Sequence, residues 1–131
     1  FASTQDGARP FEYALATHAA AESRSSYGRQ PMVVVILRYP AYSPTFEGVA
    51  EQCRAKVPVF ETEIPGLIDK TWGMDEATGT MCSVYHFEDR TSAEARFASE
   101  GFRDFVEKQL KNQLEIEYFD VAAVAVRRPL K

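Results

Sequence analysis

The sequence predicts an α+β fold of β-α-β-β-α-β order, a four-stranded antiparallel sheet with its helices on one face. Three observations predict it. Two strand-length runs, residues 32–39 and 121–126, are apolar on both faces. Two stretches carry a single apolar stripe at helical spacing. Between them lies a pair of strand-like segments joined by a short turn. A chain of 131 residues, 45% hydrophobic and 26% charged, suits one domain with its own core.

Residues 1–31 differ from the rest. They are rich in Ala, Ser, Gly and Arg and poor in large aliphatics. Residues 9–24 suit one weakly amphipathic helix carrying Phe11 and Leu15, and residues 23–31 suit a linker. This segment is expected to be a partly helical N-terminal extension, with the barrel domain over residues 32–131.

The domain opens with Met32-Val-Val-Val-Ile-Leu-Arg-Tyr39, dense in β-branched residues and closed by Pro40. Ser43-Pro44 offers an N-cap followed by proline at the first helical position. Phe46, Val49, Ala50, Cys53, Val57 and Phe60 then mark one face of a helix that Pro58 should kink or end. Ile64-Pro65-Gly66 is a break. Strands follow over residues 67–75 and 80–88, and Glu76-Ala-Thr-Gly79 turns the chain between them as a hairpin. Thr91-Ser-Ala-Glu94 reads as a capping box opening a second helix. Phe97, Phe102, Phe105, Val106 and Leu110 supply its buried face, with a kink at Gly101. Residues 114–128 read as one long final strand.

Two crossovers of this kind interleave into a ferredoxin-like sheet. Helices then cover one face only, yet the first and last strands are apolar on both. A copy of the same sheet, face to face, is the simplest cover, giving a homodimeric α+β barrel. The alternative cover is the N-terminal extension.

The formal charge of −4, with basic residues scattered, offers no footprint for nucleic acid or an anionic membrane. No run approaches the ~20 apolar residues of a membrane span. Cys53 and Cys82 lie in no CxxC or Cys/His cluster and read as buried thiols. No metal and no cofactor are expected: phosphate loops, dinucleotide fingerprints, nucleophile elbows and His-Glu-x-x-His are all absent. Thiol usage points to a reducing, cytoplasmic setting. The chain begins at Phe1 rather than Met, so a tag or targeting peptide upstream is expected to have been removed or left out.

Pro65-Gly66-Leu67, then Lys70 and Trp72, a polar turn, Tyr85-x-Phe87-x-Asp89 and Ser92-Ala93 resemble the small putative monooxygenases of the dimeric α+β-barrel superfamily. These are relatives of the antibiotic-biosynthesis monooxygenases of secondary metabolism. The likeness covers residues 32–128 in element order and residues 64–95 residue by residue. It implies a homodimer with a pocket between sheet and helices in each subunit. Some members oxygenate aromatic, polyketide-like substrates without metal or flavin, and others run different chemistry on the same barrel. The extension over residues 1–31 departs from the family pattern.

Pairing Asp75 with Thr80 sets Trp72 against Ser83, Lys70 against Tyr85 and Asp69 against His86. Lys70, Trp72, Tyr85 and Phe87 then share one face, and Asp69 and His86 the other. His86, oriented by Asp69, is the candidate acid–base pair. It would take a proton from an activated phenol or 1,3-dicarbonyl, leaving a carbanion that reacts with oxygen. Trp72, Tyr85 and Tyr39 are candidate walls of a substrate pocket, and Lys70 a stabiliser of an enolate. Tyr42 could extend that wall, whereas Phe46 and Phe60 read as core. His18, in the extension, has no evident partner. The expected function is a cofactor-independent monooxygenase acting on a small aromatic or polyketide-like compound. A cyclase, isomerase or lyase on the same scaffold, or a non-catalytic interaction module, are the alternatives.

Overall fold

The computed structural model describes residues 30–127. The element order is β1 (Val33–Pro40), α1 (Phe46–Thr62), β2 (Leu67–Asp75), β3 (Thr80–Phe87), α2 (Arg90–Phe97), α3 (Glu100–Lys108) and β4 (Glu115–Asp120). The strands form one antiparallel sheet in the order β2-β3-β1-β4. This is the ferredoxin-like arrangement expected, with its second helix in two pieces. No helix among the described residues is long and apolar enough to cross a membrane. The extension expected over residues 1–31 lies outside the described residues except for its last two.

The core sits between the helices and one sheet face. Val33, Val35, Leu37 and Tyr39 of β1, Met81, Tyr85 and Phe87 of β3, and Ile116 of β4 point into it. Val49 and Cys53 of α1, Ala93 and Phe97 of α2, and Phe102 and Val106 of α3 close over them. Strand alternation explains the choice: every second residue of β1 is buried, and its neighbours Val34 and Ile36 face the other side.

The helices begin elsewhere than the sequence suggests. Thr45, not Ser43, caps α1: its hydroxyl accepts from Gly48 N at 3.1 Å. Glu76 of the hairpin turn supports the same end by accepting from Phe46 N at 2.8 Å. The helix runs on through Pro58 to Thr62. Asp89 caps α2 by accepting from Ser92 N at 2.8 Å, so the expected capping box at Thr91 is not the helix start. The break between α2 and α3 falls at Ser99, whose hydroxyl accepts from Phe102 N at 3.3 Å. A new N-cap thus makes the break, rather than the flexibility of Gly101.

Two expectations change at the edges. β4 ends at Asp120, and residues 121–127 have no regular structure. The reason is pairing: Asp120 lies opposite Val33, the first residue of β1, so beyond one Val121 N to Met32 O bond no strand remains to pair with. Val124 and Val126 are exposed as a result. Phe46, read as core, is 51% exposed: it stands on the first turn of α1 and lines a surface hollow with Trp72, Gly73 and Met74 of β2.

Gly66 opens β2 at φ +78°, a left-handed conformation that glycine tolerates. A Cβ there would also run into the side chain of Ser92. Gly79, at φ +69°, has open space around it. Gly66→Ala should therefore lower stability by about 1–3 kcal/mol in a urea melt and more than Gly79→Ala. Equal losses would show that Ser92 gives way freely.

Candidate functional site

The β2–β3 register matches the expected one: Asp69 pairs with His86, Lys70 with Tyr85, Trp72 with Ser83 and Asp75 with Thr80. Alternation then sorts these residues between the two faces of the sheet. Lys70, Trp72 and Tyr85, with Tyr39 from β1, line a cavity of ≈ 150 Å³ under the helices. Asp69 and His86 lie on the opposite face. There His86 Nδ1 stands 3.7 Å from Asp69 Oδ2, too far for a good hydrogen bond. The register that brings the four pocket candidates together is the one that turns the candidate acid–base pair away from them.

The cavity closes around the Lys70 amine. Its Nζ donates to Tyr85 Oη at 2.9 Å. It lies 3.8 Å from the ring centre of Phe60, 4.3 Å from that of Trp72 and 4.4 Å from that of Tyr85. Burial pushes Lys70 down to about 6, helped by the charges of Arg96 and Lys56. The ring faces pull the other way, ~0.5–2 kcal/mol each. Lys70 can thus lose and regain a proton near neutrality, as a general base must.

The other polar groups hold their protons. Burial raises the Tyr85 phenol above its usual range, opposed in part by Arg96. Tyr39 is pushed up to about 12 by burial, against the effect of its 2.7 Å bond to Ser83 Oγ. Burial also raises Tyr42, whose hydroxyl sits 3.6 Å from Cys53 Sγ. Neutral hydroxyls of this kind can donate to a developing oxyanion.

Sequence reasoning missed Lys56, Ser83, Arg96, Phe102 and Phe105 as lining residues and read Phe60 as plain core. A signal existed for two of them. Lys56 falls three residues after Cys53 and four before Phe60, on the apolar stripe of α1. Arg96 follows the buried Ala93 by three. A cation on a buried stripe marks a site more often than the stripe itself does. A larger hollow of ≈ 470 Å³ opens at the ends of β1, β3 and β4, but Arg38 and Glu115 are the only charged residues of its lining. The smaller cavity is where the chemistry converges.

The family described as putative mono-oxygenase ydhR matches residues 38–127. Among curated proteins none matches. A variant of SnoaB, a cofactor-independent oxygenase from Streptomyces nogalater, superposes with a TM-score of 0.55 at 15% identity, covering 72% of this chain and 96% of its own. A putative antibiotic biosynthesis monooxygenase from Caulobacter crescentus gives 0.54 at 16% identity, over 77% and 99%. The hydroxynitrile lyase from Passiflora edulis gives 0.51 at 15% identity, over 75% and 100%. At such identities the likeness is one of fold.

Lys70 carries a stability signature. Between about 6 and its usual 10.5 the unfolded chain holds a proton on Lys70 that the folded chain does not. Stability from this group therefore rises with pH across that window. Lys70→Met should raise the melting temperature most at pH 6 and below, with the gain shrinking towards pH 10. A gain independent of pH would mean that Lys70 is charged in the folded protein throughout.

Proposed function

This chain belongs to the family described as putative mono-oxygenase ydhR, and from that premise we propose that it is a cofactor-independent monooxygenase acting on a small aromatic compound by proton abstraction in the cavity between sheet and helices. The observation that supports this most is the Lys70 amine, caged by three rings inside that cavity and 2.9 Å from a phenol. Lys70 takes the place first given to His86, which with Asp69 faces away from the cavity. Nζ accepts a proton from a CH₂ group flanked by an activated ring or carbonyl. Tyr85 donates a hydrogen bond to the resulting enolate, and the Arg96 charge stabilises it. The carbanion meets oxygen directly: the CH₂ becomes a carbonyl, one oxygen atom enters the product and the other leaves as water. Tyr39 and Trp72 form the walls.

Volume narrows the substrate. Ligand pockets commonly run to about 300–1,000 Å³, and this one is ≈ 150 Å³. An apolar cavity of about that size holds one benzene ring. A single-ring compound matches that volume.

A second reading keeps the base and drops the oxygen. A lyase, cyclase or isomerase needs only the proton transfer and the shape. The hydroxynitrile lyase of Passiflora edulis has the same fold. Strict anaerobiosis separates the two, stopping an oxygenase and sparing a lyase.

In this proposal a second copy covers the open sheet face. Phe119 and Ile68 on its edge strands are 49% and 47% exposed, and Val124 and Val126 just beyond β4 are 53% and 76% exposed. Sedimentation should give a dimer that Phe119→Asp weakens; a monomeric wild type removes the copy from the reading.

Oxygen uptake with a panel of single-ring phenols and 1,3-dicarbonyls tests the chemistry. Lys70→Met should lower turnover by about 10²–10⁴-fold, and His86→Ala should leave it nearly unchanged. The wild-type rate should rise with pH through about 6 and level off above, because the neutral amine is the active form. The opposite pattern in the two variants would return the base to His86.

A further inference from the structure

Three basic side chains line the cavity, and among the described residues no carboxylate does. Lys56 reaches in from α1, Lys70 from β2 and Arg96 from α2. Cations withdrawn from water usually have an acid beside them, because an unpaired charge in a low dielectric is costly. Here aromatic faces stand in. Lys56 Nζ lies 4.8 Å from the Tyr42 ring centre and 5.2 Å from that of Phe105. The Arg96 guanidinium lies 5.3 Å from Phe60 and 6.0 Å from Phe102. Its Nε is buried with no hydrogen-bond partner among the described residues. The charges of Arg96 and Lys56 both disfavour a proton on Lys70, so positive charge crowds one small space.

We infer that the cavity is a binding site for a single-ring aromatic carboxylate, its ring packed against Phe60, Trp72 and Phe105 and its charge among Lys56, Lys70 and Arg96. The anion supplies the negative partner that the lining lacks. A carboxylate suits the planar fork of Arg96, including the unused Nε. The ring fills the one-ring volume. A bound carboxylate also offsets the repulsion on Lys70 and so strengthens it as a base. The inference rests on the proposed function only in placing the substrate in this cavity.

Trp72 is the sole tryptophan and lines the site, so its fluorescence reports occupancy. The test is titration of the full chain with benzoate and with its neutral isostere benzamide. Benzoate should give a saturable change at about tenfold to a hundredfold lower concentration than benzamide, the ratio expected of charge-assisted hydrogen bonds. Arg96→Met should erase that ratio by weakening benzoate alone, and Lys56→Met should reduce it. The wild-type comparison stands without either variant. Equal binding of the two ligands, binding of neither, or a ratio that survives in folded Arg96→Met overturns the assignment. Turnover is read separately. Benzoate preference without oxygen uptake keeps this site and removes the oxygenase reading. Oxygen uptake with neutral rings and no benzoate preference does the reverse.

Discussion

Antiparallel pairing of β2 with β3 is the constraint on which the rest depends. Asp75 opposite Thr80 places Lys70 opposite Tyr85 and Trp72 opposite Ser83. Because side chains alternate, a slip of one residue would send Lys70 and Trp72 to the outer face and bring Asp69 in. The register is held at one end by the turn at Gly79, whose N–H donates to Asp75 O at 2.9 Å. At the other end Glu88 N donates to Gly66 O at 2.8 Å, after an irregularity at Ile68. Both glycines adopt positive φ, and both sit where the strand must stop or turn.

On that frame the helices do two things at once. They bury the apolar stripe that stabilises the sheet, and they carry Lys56 and Arg96 to the Lys70 amine. The T-shaped contact of Phe60 with Trp72, with centroids 5.2 Å apart, joins α1 to β2. A similar contact between Tyr85 and Phe97, at 5.0 Å, joins β3 to α2. These contacts build the cage, so the packing that holds the fold also desolvates the lysine. Stability is given up at Lys70, where burial among rings forces the amine to shed its proton, and that is where a reactive group is obtained.

Much of the frame was legible in the sequence. The β-branched run of β1, the hairpin turn and the stripes of Val49, Cys53, Phe97 and Phe102 are local patterns, and periodicity reports them. Helix starts were less legible. Ser43, Thr45, Thr91 and Asp89 are all able caps, and which is used depends on where the chain leaves the sheet. The end of β4 was not legible from Val121–Val126, because a strand needs a partner as well as a suitable composition.

Taken alone, the sequence determined the fold class, the element order and, through the hairpin register, which residues of β2 and β3 share a face. These follow from local spacing and from turn chemistry, where the interacting residues are close in sequence. Only the tertiary structure decided which face became the cavity, that Lys56 and Arg96 join Lys70 there, and that no described carboxylate accompanies them. Those facts depend on residues 14 and 26 positions away from Lys70 along the chain. The cavity that desolvates the lysine is likewise lined by side chains of six separate elements. No spacing rule within one element reports a field made by several.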